Sequence, residues 1–567
     1  MKIAMAQLNY KVGDVTGNLK KILTAYQMCG DDVDIMVCSE LALTGYYPQD
    51  LLKRDSLIIA QDKALNELAA HTRNRNTAIV IGCARKNLEQ TGRPLHNALL
   101  LLANGEALFE YHKRLLPTYN VFDEARHFEP GSNSNVFEFK GHTLGFLICE
   151  DAWPDAEGYR YENTPVDDIS EHRVDCVISI NASPSNINKL NERFFIGKQV
   201  VEKTQAAFIY LNQVGGNDEL VFDGGSFILD KVGTKIHQSV QFDQAVDFIE
   251  VDLEQNNTQP NRNKVTEEVT PSYSSNHSHS EFYWRQTVLG IRDYINKCGF
   301  SKVVIGSSGG IDSAVTLAIC TEALGAEGVT AITMPSKFSS QGSVTDSEVL
   351  CKNLDVRLYE APIKEEYDVA VRAFQTMSGE FPSQLTCENI QARIRGRKLM
   401  EYSNHFGALV VSTGNKSEMS VGYATLYGDM NGGINPLGDL YKMDVYALAN
   451  YVNEFYDKEI IPRSIIDKPP SAELAEDQKD TDSLPDYPLL DAVLKLYIEG
   501  DLLERAEYEA CQKIISAASL AEKEVERIHQ MVNRAEFKRR QAPPIIRVQR
   551  RSFGMGRWLP VAANYQF

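Results

Sequence analysis

The chain has 567 residues, room for several domains or two large ones. Hydrophobic residues make up 43% and charged residues 24%, an ordinary globular balance that excludes wholesale disorder. Lys and Arg number 58 against 77 Asp and Glu, and the net charge of −19 argues against nucleic acid or an anionic membrane as main partner.

The opening Met1-Lys2-Ile3-Ala4-Met5-Ala6 reads as a first strand, not a secretory leader. Further buried strands are predicted at Ile35–Cys38, Ala78–Ile81, Ala98–Leu102, Leu144–Cys149, Cys176–Ile180 and Ala207–Leu211. Thr16 to Met28 reads as a helix with Leu19, Ile22, Leu23 and Tyr26 inward. The rhythm implies packed layers of strands and helices. A last strand near Val246–Val251 precedes a stretch crowded with Asn, Thr, Ser and Pro, which reads as an exposed linker. The organisation expected is therefore residues 1–252, a linker 253–280, and residues 281–567. In the second part Val303–Ile305, Thr330–Met334 and Ala408–Ser412 read as strands, and Ser313–Ala323 and Ser343–Asn353 as helices. That is the pattern of an open, doubly wound parallel sheet with ligands at its strand ends. No apolar run approaches the roughly 20 residues of a spanning helix. The 10 cysteines show no Cys-x-x-Cys spacing, which fits a reducing cytoplasm.

Cys149 closes an apolar run and is followed by Glu150-Asp151-Ala152-Trp153-Pro154, where Pro154 stops regular structure. A thiol after an apolar run is usually a core residue. Two other strand ends change its weight: Glu40 in Ser39-Glu40-Leu41, ahead of the Gly45 turn, and Lys113 in Tyr111-His112-Lys113. Attack on a carboxamide needs a thiolate, a base and a positive charge for the oxyanion, and these three residues make one such set. No spacing demands a Cys–His–Asp set from Cys149, His172 and Asp151.

This half resembles the nitrilase superfamily in its glutamine-amidase form, over about residues 1–250. The resemblance implies an α-β-β-α sandwich, with Glu40 as general base, Lys113 holding the oxyanion and Cys149 carrying a glutamyl thioester. It implies an assisting acid at Glu124 and glutamine contacts at Tyr119, Ser183 and Lys189.

In the second half Gly306-Ser307-Ser308-Gly309-Gly310-Ile311-Asp312-Ser313 joins a strand to a helix. Small residues let backbone amides approach an anion, and the helix start adds its dipole. The loop lacks a Walker Gly-Lys-Ser/Thr ending, so γ-phosphoryl transfer is disfavoured. It resembles the pyrophosphate loop of the N-type ATP pyrophosphatases. Asp312 has the chemistry to hold Mg²⁺ against phosphates. The dense Gly and polar strings 412–418, 422–429 and 432–439, with Glu388–Arg395 upstream, are similar to the NAD⁺ synthetase family over about residues 280–550. By that likeness residues 306–313 and Thr413 bind ATP. Glu418 is a second magnesium ligand near the deamido-NAD⁺ site, and Asn389, Arg393 and Lys538 contact deamido-NAD⁺. Lys416 and Lys442 are weaker candidates for facing phosphates, because surface lysines are common.

The combined expectation is amidation of deamido-NAD⁺ through an adenylylated intermediate, with ammonia from glutamine kept neutral in a dry passage. ATP, glutamine and deamido-NAD⁺ are the small-molecule partners, with Mg²⁺ as cofactor and a homo-oligomer as the working assembly. Two alternatives stay open at this point: an ammonia-using synthetase beside a non-catalytic first module, or another pyrophosphatase-type amidotransferase.

Overall fold

The computed structural model describes all residues except 90, 157–158, 254–277, 472, 476–477, 479, 481–483, 558 and 565–567. Residues 254–277 of the stretch read as a linker thus lie outside the described residues. The chain divides into two compact units, Met1–Asn217 with Val221–Ser275, and Asp218–Leu220 with Asn276–Phe567.

In the first unit the strands of the two six-stranded sheets are β1 (Lys2–Gln7), β2 (Ile35–Val37), β3 (Ala78–Lys86), β4 (Leu95–Ala103), β5 (Glu106–His112), β6 (Val136–Phe139), β7 (His142–Ile148), β8 (Cys176–Asn181), β9 (Ala207–Asn212), β10 (Phe227–Leu229), β11 (Lys235–Gln238) and β12 (Ala245–Glu250). They form two sheets, ordered β12-β1-β2-β3-β4-β5 and β11-β10-β9-β8-β7-β6. Period-2 alternation decides the layering. Ile3 and Met5 join Ile35, Val37, Val80, Phe146, Ile148, Ile178 and Ile209 in the core between the sheets. Ala4 and Ala6 face the other way, where α1 (Val15–Met28) and α2 (Asp55–His71) cover the sheet with Leu19, Ile22, Tyr26, Leu65 and Leu68. On the second sheet α3 (Pro165–Ser170) and α4 (Lys189–Thr204) bury Ile169, Ile196 and Val200 against Leu147, Val177 and Phe208. The result is an α-β-β-α sandwich. Helix α1 starts at Val15, one residue before the predicted Thr16, because the Asp14 carboxylate caps it by accepting the Gly17 N–H at 2.9 Å.

The second unit holds a parallel sheet of β13 (Val303–Gly306), β14 (Val329–Thr333), β15 (Arg357–Glu360) and β16 (Leu409–Val411), ordered β15-β14-β13-β16. Its α-helices among the described residues are, in chain order, α5 (His279–Lys297), α6 (Ile311–Leu324), α7 (Gln341–Asn353), α8 (Lys364–Ser378), α9 (Gln384–Phe406), α10 (Lys416–Val421), α11 (Lys442–Phe455), α12 (Arg463–Asp467), α13 (Tyr487–Ile498), α14 (Arg505–Ala517), α15 (Glu522–Arg534) and α16 (Glu536–Arg539). Helices α8 and α9 bury Tyr367, Val371 and Ile394 against Val304, Ile332 and Val410. The strand order reverses between β13 and β16, the place where open α/β sheets bind ligands. Among the described residues no helix is long and apolar enough to cross a membrane.

Candidate active sites

The first constellation gathers at strand ends of the sandwich. Glu40 lies just past β2 and is fully buried. Gly82 of β3 lets that turn lie on the sheet, because a Cβ there would come within 2.5 Å of the Glu40 Cα. Lys113 follows β5, and its N–H donates to the Asn97 carbonyl of the paired strand β4 at 2.8 Å. Its ammonium donates to Glu40 Oε1 at 2.7 Å and to Glu124 at 2.8 and 3.0 Å, with all three side chains withdrawn from solvent. Asn97 Nδ2 donates to Glu40 Oε1 at 2.7 Å and to Glu124 Oε2 at 3.3 Å. The Ala182 N–H reaches Glu40 Oε2 at 3.0 Å, and the Tyr46 hydroxyl donates to Glu124 Oε1 at 2.7 Å.

One ammonium thus serves two carboxylates. Burial alone would depress the Lys113 ammonium, but Glu124 and Glu40 hold it well above the ordinary lysine value. Glu40 has only a share of that cation, so burial pushes its carboxyl up to about 7, with Lys113 opposing and Glu124 adding to the rise.

Cys149 is 6% exposed and opens a 3₁₀ turn, Cys149–Ala152, at the end of β7 with a left-handed φ of 48°. Burial, then the Glu40 charge, raises its thiol well above the ordinary value, while Lys113 opposes. At rest its environment therefore favours the neutral thiol. Asp151 anchors the turn. Its Oδ1 accepts the Arg114 and Leu115 N–H groups at 3.1 and 3.0 Å, and its Oδ2 accepts the Ile148 N–H and the Tyr111 hydroxyl. One carboxylate so ties the Cys149 turn to the segment after Lys113. His172, exposed just past α3, has its Nδ1 on the Asp168 carbonyl.

Glu150, 3% exposed, accepts hydroxyl hydrogen bonds from Tyr119 at 2.9 Å and from Tyr161 at 2.9 Å. Ser183 follows Ala182, and its Oγ and carbonyl accept from the buried Arg193, which pairs with Asp223 at 2.6 Å. The Lys189 ammonium lies 4.2 Å from the ring centroid of Trp153, beside the Cys149 turn, and pairs with Glu192 at 3.0 Å. Sequence reasoning missed Asn97 and Glu150. A polar His96-Asn97 pair inside a Leu-rich buried strand was the available signal for the first.

The second constellation sits at the strand-order reversal. Ser307–Gly310 links β13 to α6, with Gly310 as N-cap. Gly309 has φ of 73°, and a Cβ there would meet the Ser343 carbonyl oxygen at 2.3 Å, so only glycine fits. Ser307 is pinned by its N–H to the Ile332 carbonyl at 2.9 Å, and the Ser308 hydroxyl accepts from the Gly310 N–H at 3.2 Å. Asp312 faces the loop after β16: its Oδ1 accepts from Asn415 Nδ2 at 2.9 Å. Lys442, at the start of α11, donates to Asp312 Oδ2 at 2.6 Å and to Glu418 Oε1 at 3.2 Å. Burial pushes the Glu418 carboxyl up to about 7, with Lys442 opposing and Asp312 adding. The Lys442 ammonium, which burial would depress, is raised by Asp312 and Glu418.

Thr413 is half-buried in the loop after β16. Asn389 and Arg393 share one face of α9: the Asn389 Oδ1 accepts from Thr425 Oγ1 at 2.8 Å and Arg393 Nε donates to the Leu426 carbonyl at 3.2 Å. Lys538 donates to the Gly422 and Ala424 carbonyls at 2.7 and 2.8 Å. Three of the predicted contacts thus grip one loop, 422–426. One lysine differs from expectation. Lys416 is fully buried against Asp439 at 3.0 Å and Glu499 at 3.2 Å and does not face a phosphate; an apolar surround leaves an ammonium no stable place except between carboxylates. Lys442 stands between the two carboxylates predicted to hold metal.

The fold and these two clusters define a class: a nitrilase-type amidase module and an ATP-pyrophosphatase-type synthetase module in one chain. The family described as carbon-nitrogen hydrolase matches residues 2–260, and the NAD synthase family matches residues 283–542. Glutamine-dependent NAD(+) synthetases of Synechocystis sp. and Thermotoga maritima are 39% and 37% identical to this chain, covering 99% and 100% of it and 99% of their own lengths. A solved glutamine-dependent NAD⁺ synthetase of Acinetobacter baumannii, in complex with ADP, superposes with a TM-score of 0.75 at 36% identity, covering 99% of this chain and 98% of that one. The chain belongs to the glutamine-dependent NAD⁺ synthetase family. It is an ATP-consuming carbon–nitrogen ligase that amidates deamido-NAD⁺ to NAD⁺ with ammonia from glutamine.

Proposed function

We propose that the two clusters divide this reaction by residue. In the first, Glu40 takes the Cys149 proton as the sulfur attacks the carboxamide carbon of glutamine, and Lys113 holds the oxyanion that forms. Glu40 returns the proton to the departing ammonia, then activates the water that releases glutamate from the thioester. Glu124 keeps Lys113 charged and oriented. Glu150 receives the substrate ammonium beside Tyr119, and Ser183 and Lys189 receive its carboxylate. The observation that carries this reading is the Lys113 ammonium at 2.7 Å from a carboxylate poised to titrate near neutrality.

That reading fixes a pH dependence. Only ionised Glu40 accepts the thiol proton, so glutamine hydrolysis should climb as pH rises through about 7 and level off above it. Initial glutaminase rates across that window, with Glu40→Gln as the inactive control, check this. A flat profile would remove Glu40 as the base.

In the second cluster the amides of residues 306–313 and Thr413 cradle ATP while Asn389, Arg393 and Lys538 order the loop against deamido-NAD⁺. The nicotinate carboxylate attacks the α-phosphorus, pyrophosphate leaves, and ammonia displaces AMP. Asp312 and Glu418 would hold Mg²⁺. Their carboxylates converge on a single cation, the Lys442 ammonium, and all-oxygen donors suit this ion. When bound, Mg²⁺ screens the charge of the triphosphate and of the departing pyrophosphate. Lys442 adds a fixed positive charge from the protein side.

The nitrogen must arrive as neutral ammonia, because ammonium has no lone pair to attack with. Synthesis with labelled glutamine in excess unlabelled ammonium should therefore give mainly labelled NAD⁺; full mixing with the bulk would end the idea of a protected transfer. A cytoplasmic setting is supported by the cysteines, all free thiols. Assembly as a homo-oligomer is supported by Met377, Phe381 and Leu385, apolar side chains exposed where α8 leads into α9.

A further inference from the structure

Two helices carry the groups assigned above to the ATP-driven half-reaction. Helix α10 carries Glu418, and α11 begins with Lys442. The helices start side by side, with the Lys416 N–H donating to the Leu440 carbonyl at 2.8 Å. A third helix closes the arrangement. Asp491 on α13 is 3% exposed, and each of its carboxylate oxygens serves a different helix. Its Oδ1 accepts the hydroxyl of Ser417, the residue before Glu418. Its Oδ2 accepts the N–H of Met443, the residue after Lys442, at 2.9 Å. Ser417 Oγ in turn accepts the Lys442 N–H at 2.9 Å, so the bracket closes on itself. Ser417 is fully buried, and Lys442 is 2% exposed.

We propose that Asp491 is a positioning residue for adenylylation: through Ser417 and the first turn of α11 it sets Glu418 and Lys442 in register across from Asp312. The inference rests on the assignment of Asp312, Glu418 and Lys442 to the ATP and metal site. The carboxylate suits the task for two physical reasons. The first-turn N–H groups of α11 have no partner within their own helix, and an anion there is favoured by the helix dipole. A carboxylate also offers acceptors on both sides, whereas an amide offers one. In Asp491→Asn the oxygen can satisfy Met443, but the Ser417 proton then loses its acceptor. Burial is the main influence on Asp491 and pushes its carboxyl up; the Ser417 and Met443 hydrogen bonds oppose that, and of the charged neighbours Asp444 adds to the rise while Lys495 opposes it. Asp444 and Lys495 take no part in the bracket.

The test uses the full-length protein with ammonia as nitrogen donor. Asp491→Asn is expected to lower the rate of ammonia-driven synthesis about tenfold, the scale of one lost buried hydrogen bond, and to raise the magnesium concentration for half-maximal rate several-fold. Added magnesium should restore part of the rate, and glutamine hydrolysis at Cys149 should be unchanged. Ser417→Ala should shift the same two quantities. The double variant should be no worse than the single ones, because both remove one bracket. If Asp491→Asn does not fold, Ser417→Ala carries the test by the same readouts. Wild-type rate and magnesium dependence in both variants would overturn the proposal. So would a rate loss matched by lost thermal stability with magnesium dependence unmoved. Glu418→Gln run in parallel separates the two levels. If it keeps full synthesis, the site assignment fails and the inference with it. If it is inactive while Asp491→Asn is normal, the assignment stands and only the bracket falls.

Discussion

Cys149→Ala is expected to abolish NAD⁺ synthesis from glutamine while leaving synthesis from added ammonia at its wild-type rate. The size of the first effect follows from the chemistry. Alanine removes the sulfur proposed to carry the glutamyl group, and loss of a covalent nucleophile costs on the order of 10⁶-fold in kcat. The selectivity follows from the site. Cys149 is bounded by Glu40, Lys113 and Glu150, none of which belongs to the second unit's cluster. Folding should survive: the thiol is small, and the turn that carries it is fixed by Asp151 through bonds to Ile148, Tyr111, Arg114 and Leu115 rather than through the sulfur. Parallel assays of NAD⁺ formation with each nitrogen donor decide the matter. Equal loss with both would show that the halves are not separable; retained glutamine use would show that Cys149 is not the nucleophile.

Asp312→Asn should cripple synthesis from both donors, because both nitrogen sources converge on the adenylylated carboxylate. The substitution keeps the side chain's volume and removes its charge. An expected loss of roughly 10²–10³-fold corresponds to removing one preorganised electrostatic contact to the transition state. A stability cost accompanies it, since Lys442 loses the closer of its two carboxylates, at 2.6 Å, and keeps Glu418 at 3.2 Å. Both carboxylates retain some solvent contact, 19% for Asp312 and 18% for Glu418, so the cost should stay below that of breaking a fully dry pair. Thermal unfolding measured beside activity separates the two effects. Ammonia-driven synthesis at the wild-type rate would remove Asp312 from the catalytic account.

The alternation in Ile3-Ala4-Met5-Ala6 was enough to make β1 a strand between two apolar layers, because a period of two admits no helix and large and small residues fall on opposite faces. Gly309 was legible as a loop glycine, but the reason it is required, contact with the Ser343 carbonyl, is not, since α7 lies in another part of the chain. Lys416 and Lys442 show the limit most plainly. As letters they are equivalent lysines near glycine-rich loops. In the fold one is sealed between Asp439 and Glu499, and the other joins Asp312 to Glu418.

By itself the sequence determined the alternation of strands and helices and the placement of candidate reactive groups at strand ends, because these are local properties; the sandwich and the roles proposed for those groups came from its resemblance to known families. Only the tertiary structure decided which charges meet: Lys113 with both Glu40 and Glu124, Asn97 across the same pair, Glu150 under two tyrosine hydroxyls, and Asp491 across two helices. The reason is that a buried charge takes its protonation state and its role from partners brought in by folding, and those partners stand many residues away along the chain.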